Sequence, residues 1–158
     1  MIIAMAADHG GYELKNKIKE HLKERKTAPI YNEDGSVTEE TIKIVDLGTN
    51  SDESVNYPDY GRACAEAVAG GKADLGIVCC GTGIGISIAA NKVKGVRCAL
   101  CTSTEMAALA KQHNNANIIS LGGRTTAPEL AYDIIDTWLD SKFEGGRHQT
   151  RVSMLDEM

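Results

Sequence analysis

The chain has 158 residues, 42% hydrophobic and 25% charged, enough for one domain over residues 1–158 whose core needs no covalent staples. Its net charge of −5 argues against nucleic acid as a partner, and without a membrane-length apolar run or a signal-peptide start the expected location is cytoplasmic. Five cysteines, an odd number with Cys79 and Cys80 adjacent, make a poor disulfide framework and fit a reducing compartment.

Ile2 to Ala7 is an apolar run ending in Asp8-His9-Gly10-Gly11, the pattern of a buried strand entering a turn. Tyr12 to Lys26 follows helical spacing, with Leu14, Ile18 and Leu22 on one face and lysines and glutamates elsewhere. Asp8 and His9 then sit at the C-terminal end of the first strand, the edge where open α/β sheets bind ligands. Thr27 to Thr41 is polar and carries Asp34-Gly35 between β-prone flanks, Ile30-Tyr31 and Val37-Thr38. It reads as a surface insertion over residues 27–41 that forms a small hairpin.

Ile42 to Leu47 is a second strand, and Gly48 to Tyr60 a polar loop containing Tyr57-Pro58-Asp59-Tyr60. Gly61 to Ala69 is an alanine-rich helix stopped by Gly70-Gly71. Leu75 to Cys79 is apolar throughout, as a parallel strand covered on both faces requires. Gly81, Gly83 and Gly85 follow, then a helix from Ile84. Backbone N–H groups and the helix dipole converge over that turn and make an anion site, with Cys80 at its mouth. Gly95 to Cys101 is a fourth strand, Ser103 caps a helix running to Gln112, and Asn117 to Leu121 is a fifth strand. Ala127 to Leu139 closes the series as the last amphipathic helix. Five strands alternating with helices predict a three-layer α/β/α fold, Rossmann-like, with a five-stranded, mainly parallel sheet.

The glycine turn is not a dinucleotide fingerprint, because the third glycine would fall at Ile86, and it lacks the Lys-Ser/Thr of a phosphate-binding P-loop. By itself, a glycine turn before a helix is more often architecture than a site. Cys98 and Cys101 form a C-x-x-C, but in a strand they point to opposite faces and no second pair completes a zinc site. They read as core thiols, as do Cys64 and Cys79. His21 falls on the solvated first helix and reads as bland. His113 ends a helix in Gln112-His113-Asn114-Asn115-Ala116-Asn117, an unusual asparagine cluster. In the tail over 143–158, Arg147 and Arg151 are four apart and share a face if that segment is helical. Composition alone favours a solvated basic end, while a phosphate clamp would use the same residues.

Asp8-His9-Gly10-Gly11-Tyr12, Tyr57-Pro58-Asp59-Tyr60, Cys80-Gly81-Thr82-Gly83-Ile84-Gly85, Ala89-Ala90-Asn91-Lys92, Gln112-His113-Asn114, Gly122-Gly123-Arg124 and Glu144-Gly145-Gly146-Arg147-His148 occur in this order. In that ordered set the chain closely resembles type B ribose-5-phosphate isomerase, the family that also holds galactose-6-phosphate and allose-6-phosphate isomerases. The resemblance implies interconversion of ribose 5-phosphate and ribulose 5-phosphate in the non-oxidative pentose phosphate pathway, with no metal and no cofactor. It implies a homodimer, sometimes paired into a tetramer, with each active site shared between subunits.

Carried over residue by residue, it makes Cys80 the base that moves a proton between C2 and C1. His113 becomes the proton donor in ring opening, and Asp8 handles protons on the sugar oxygens with His9 beside it. Gly81, Gly83, Ile84 and Gly85 form the anion hole, to which Thr82 adds a hydroxyl. Asn114 binds the sugar. Arg124, Arg147 and Arg151 bind substrate, mostly its phosphate, with His148 a weaker candidate. Some family members use a carboxylate six positions after the cysteine. Here that position is Ile86, which groups the chain with the cysteine users. The same chemistry on allose 6-phosphate or galactose 6-phosphate is the first alternative, and a catalytically silent sugar-phosphate-binding module the second.

Overall fold

A computed structural model describes residues 1–25, 29–39 and 41–158. Five strands form one parallel sheet: β1 (Ile2–Ala7), β4 (Lys43–Asp46), β5 (Leu75–Cys80), β6 (Cys98–Leu100) and β7 (Ile118–Gly122). Their order is β4-β1-β5-β7-β6. The register sets Ile3 against Leu75 and Ala7 against Cys79 across β1 and β5, and Cys80 against Gly122 across β5 and β7. The expected Rossmann-like three-layer α/β/α architecture is therefore present.

Alternation along the strands builds two cores. Ile3, Met5, Ala7, Ile77, Cys79, Ile119 and Leu121 face one side. There they meet Leu14, Ile18 and Leu22 of helix α1 (Tyr12–Glu24), Ala107 and Ala110 of α4 (Thr104–Gln112), and Ile134, Ile135 and Trp138 of α5 (Pro128–Asp140). Ala4, Ala6, Val78, Cys80 and Ile118 face the other side, against α2 (Tyr57–Ala69) and α3 (Ile84–Asn91). Period-two side chains that are apolar on both faces are what a doubly covered parallel sheet needs. Cys98 and Cys101 fall in opposite cores, as the strand reading predicts. The second face is lined with small residues, so its helices pack close: a Cβ at Gly61 would lie 2.9 Å from the Ile86 carbonyl oxygen.

The hairpin forms as β2 (Pro29–Tyr31) and β3 (Val37–Glu39), with Ile30 paired to Thr38 and Tyr31 to Val37. Residues 26–28 and 40, at the end of the predicted first helix and inside the 27–41 segment, lie outside the described residues.

Three expectations change. Helix α2 starts at Tyr57, inside the predicted loop, because Pro58 suits a first helical turn and Asp59 complements the dipole there. The fourth strand is shorter than expected, since only Cys98–Leu100 pairs with β7. The tail adds a sixth helix, α6 (Arg147–Glu157), after the one taken as last. Val152 is buried and Arg97 Nη1 donates to Asp156 Oδ1 at 2.7 Å, so α6 is docked on the body of the protein.

Two polar residues of α1 are structural. His21 Nε2 lies 2.9 Å from Asp136 Oδ2, and its ring stacks on Tyr132 at 4.4 Å, which ties α1 to α5. Lys15 is 1% exposed and was not distinguishable from its solvated neighbours. Its Nζ donates to Asp46 Oδ1 at 2.6 Å and to the Thr49 carbonyl at 2.8 Å. Burial pushes the Asp46 carboxyl up, but hydrogen bonds from Lys15, Lys19 and the Gly48 N–H outweigh it and hold the pKa below the usual range. A depressed carboxylate pKa stabilises the fold above its unfolded value, and that contribution is lost as pH falls through the folded one.

Asp46→Asn should therefore lower stability by about 3 kcal/mol at neutral pH, because it strands a buried ammonium. Urea denaturation checks this; a midpoint equal to the wild type would show that Lys15 needs no counter-charge.

Candidate active site

From β1 the chain moves outward to β4 and then back to β5 on the other side. The crevice between the C-terminal ends of β1 and β5 is thus the point where strand order reverses, the place where open α/β sheets bind ligands. Asp8 follows the last residue of β1, Cys80 is the last of β5, and Gly123-Arg124 follow β7. The three loops touch. Gly123 N donates to the Cys80 carbonyl at 2.8 Å and Arg124 N to the Gly81 carbonyl at 2.9 Å. A Cβ at Gly10 would lie 2.9 Å from Gly81 N.

Cys80 is buried, and its Sγ accepts a hydrogen bond from Gly83 N at 3.1 Å. That contact depends on Gly83 having φ +77°, in the left-handed region. A Cβ there would also lie 2.7 Å from Leu100 Cδ1 and 2.9 Å from the Leu121 carbonyl carbon. Ser120, fully buried in β7, donates from Oγ to the Gly83 carbonyl at 2.6 Å and pins the turn. Thr82 Oγ1 accepts from Ile84 N at 3.2 Å, which satisfies the first N–H of α3 while its own proton stays available to a ligand. The N–H groups of Thr82 and Gly85 have no partner among the described residues, and an oxyanion set against them would lie beside Cys80. The Tyr57 ring covers Gly85, where a Cβ would meet it at 2.6 Å.

Asp8 is buried, and its Oδ1 accepts from Gly10 N at 2.9 Å and Gly11 N at 3.2 Å. Oδ2 has no hydrogen bond among the described residues. His9 Nδ1 accepts from Val55 N at 3.2 Å, which assigns the ring proton to Nε2. The Arg124 guanidinium lies over Gly81, so this arginine belongs to the Cys80 loop cluster. A cavity of about 370 Å³ opens beside this cluster, lined by His9, Gly10, Gly123 and Arg124 together with Glu13 and Lys17. A larger depression of about 610 Å³ runs from His9 along α1, but Glu20, Glu24 and Asp52 line it, outnumber Lys17 and would repel a phosphate.

The remaining candidates are elsewhere. Helix α4 starts where β6 ends and finishes before β7 begins, so His113, its C-cap, lies at the N-terminal edge of the sheet. Strands of this length put the two edges roughly 15–20 Å apart. Asn114, Glu144, Arg147, His148 and Arg151 gather around His113. Glu144 N donates to the Gln112 carbonyl at 3.0 Å, which anchors the tail to α4. The His113 and His148 rings stack at 4.3 Å, and a Glu144 carboxylate oxygen lies 4.0 Å and 3.8 Å from their Nε2 atoms. Burial and the neighbouring His113 lower the His148 pKa. Arg147 and Arg151 are exposed, four residues apart on α6, with no ion pair among the described residues.

The asparagine cluster divides by role. Asn115 takes a left-handed φ of 45° and ends the helix. The Asn117 side chain holds Arg97 N at 2.8 Å and the Gly95 carbonyl at 2.9 Å. Only the Asn114 side chain is exposed and without a protein partner among the described residues.

Sequence reasoning missed Tyr57, Ser120 and Glu144. Ser120 had a signal, a lone hydroxyl inside the apolar Ile118-Ile119-Ser120-Leu121. Tyr57 and Glu144 had none beyond their place in quoted motifs. The other cysteines behave as core residues. Burial pushes the Cys64 thiol up to about 12 and that of Cys101 to about 11, and raises Cys79 and Cys98 as well. Iodoacetamide at mildly alkaline pH should therefore modify Cys80 before the other four, read by peptide mass spectrometry. Faster labelling of any of those four would remove Cys80 from its special position.

Residues 3–155 match the profile of the family described as Ribose/Galactose Isomerase. The chain is 44% identical over 153 residues to ribose-5-phosphate isomerase B of Escherichia coli, covering 97% of this chain and 93% of that protein. The structure of Clostridium thermocellum ribose-5-phosphate isomerase B superposes with a TM-score of 0.87 at 49% identity, over 99% of this chain and 96% of that one. That of Mycoplasma genitalium ribose-5-phosphate isomerase B with bound ribulose-5-phosphate gives 0.84 at 41% identity, over 99% and 94%.

Proposed function

Since the chain belongs to the ribose/galactose isomerase family, and is an isomerase by that membership, we propose that it interconverts ribose 5-phosphate and ribulose 5-phosphate. The observation that carries this reading is the meeting of Cys80, Asp8 and a glycine turn with free N–H groups at the switch point of the sheet.

In the proposed reaction the Cys80 thiolate removes the proton from C2 of the open-chain aldose. The electron pair moves into a C1–C2 double bond and leaves an enediolate. Return of that proton to C1 gives the ketose. Charge develops on the substrate oxygen facing the turn, where the Thr82 and Gly85 N–H groups need no reorganisation to receive it. Asp8 Oδ2, free of protein partners, relays the proton between the O1 and O2 oxygens, and His9 Nε2–H orients the sugar.

The split of the candidates between the two sheet edges supports a homodimer with shared sites. In this reading His113 of the partner subunit opens the furanose ring and Asn114 of the partner subunit binds the open chain. The partner's Arg147 and the partner's Arg151 hold the phosphate, with Arg124 completing the clamp from the Cys80 side. Phosphate binding energy then positions carbons far from the arginines themselves. Residues 1–158 act as one isomerase domain, with the tail over 143–158 contributing to the neighbouring site.

Purified protein should turn over ribose 5-phosphate faster than allose 6-phosphate or galactose 6-phosphate in a coupled assay. A preference for either hexose phosphate would move the reading to that substrate, and no turnover of any of the three would leave a binding module. Cys80→Ala should lower kcat by about 10³-fold or more while ribose 5-phosphate still binds by calorimetry. Mixing Cys80→Ala with His113→Ala protomers, each inactive alone, should recover about a quarter of wild-type activity through hybrid dimers with one intact site. No recovery after verified subunit exchange would sink the shared site.

A further inference from the structure

His113, Glu144 and His148 each offer a ligand atom, and these atoms lie within 4.8 Å of one another. No other group of three His, Cys, Asp or Glu residues converges in this way among the described residues. The cluster is held by backbone contacts. His113 N donates to the Leu109 carbonyl at 2.8 Å, Glu144 N to the Gln112 carbonyl at 3.0 Å, and His148 N to the Gly145 carbonyl at 3.1 Å. Glu144 and His148 are four residues apart across the Gly145-Gly146 turn, whose two positive φ angles bring a Glu144 carboxylate oxygen to 3.8 Å from His148 Nε2.

The geometry points to a site for one divalent transition-metal ion, bound by His113 Nε2, His148 Nε2 and a Glu144 carboxylate oxygen, whose occupancy switches the enzyme off. Two imidazoles and a carboxylate are a common donor set for zinc with a fourth position open. Metal–nitrogen bonds of about 2.0–2.1 Å set donor atoms roughly 3.4 Å apart around a tetrahedral ion, so binding draws the three donors together and turns the two imidazoles out of their stack to aim both Nε2 atoms at the ion.

The surroundings select the class of ion. Arg147 and Arg151 stand on the same helix as His148 with no ion pair among the described residues. Their field opposes a hard cation held by charge, such as magnesium or calcium. An ion held by imidazole coordination, such as zinc, nickel or cobalt, meets the same field with much stronger ligand bonds. Binding does not depend on what His113 does in the reaction. The switch does, and it rests on the role proposed above: a metal on His113 Nε2 occupies the nitrogen that would serve ring opening.

Cobalt(II) is the probe, titrated into the purified full-length protein with turnover followed in parallel. Visible d–d absorption should saturate at one cobalt per chain, without a thiolate-to-metal charge-transfer band, and should persist in Cys80→Ala. His148→Ala should abolish it. Glu144→Gln should weaken binding by about tenfold or more. Turnover should fall in step with occupancy and return on adding EDTA. Absence of saturable absorption, a charge-transfer band, or bands unchanged in both His148→Ala and Glu144→Gln would overturn the site. Full activity at saturating cobalt would overturn the switch. Failure of the isomerase reading would show separately, as no turnover in the metal-free protein.

Discussion

A parallel sheet imposes a separation on everything that follows from it. Each strand delivers its C-terminal end to one edge, and each connecting helix must run back to the other. Residues that end strands, such as Asp8 and Cys80, therefore collect at one edge, and a residue that ends a returning helix, such as His113, reaches the opposite one. No side-chain rotation crosses that distance. A reaction needing both groups must use two copies of the chain, which is why the proposed site is shared rather than contained.

The Cys80 edge depends on close approach. Alanines, Cys64 and Gly61 line the second face of the sheet, which lets α2 and α3 pack tightly. The turn from β5 into α3 can then pass under Tyr57 and against β7, where Ser120 pins the Gly83 carbonyl. A left-handed residue at Gly83 aims its N–H at Cys80 Sγ, so the sulfur and the free N–H groups share one small space. The other four cysteines show the contrast. Burial raises their thiol pKa values, that of Cys64 even against a hydrogen bond from the Ile77 backbone, and they fill volume.

The opposite edge depends on the tail. Arg97 reaches the Asn114 and Asn115 carbonyls at 3.2 Å each and Asp156 at 2.7 Å, linking the end of α4 to the far end of α6. With Glu144 hydrogen-bonded to Gln112, this carries Arg147, His148 and Arg151 to His113. Charges far apart in the sequence thereby act as one patch. The proposed phosphate clamp and the proposed metal site both use it, one through its arginines and the other through its imidazoles.

The sequence by itself determined the layered α/β fold, the glycine turn before α3, the hairpin at Asp34-Gly35 and the core placement of Cys64, Cys79, Cys98 and Cys101. These follow from local periodicity, turn chemistry and strand alternation, which neighbouring residues specify. The ordered motifs also named the family. Lys15 looked like any helix lysine, because only the docking of β4 and the Thr49 carbonyl bury it. Tyr57 read as loop, because its partner Gly85 is in another element. The asparagine cluster could not be divided by role until Asn115 was seen to end the helix and Asn117 to hold Arg97. Only the tertiary structure decided that His113 and Cys80 lie at opposite edges of one chain, because strand order and helix direction are properties of the assembled sheet, not of any segment within it.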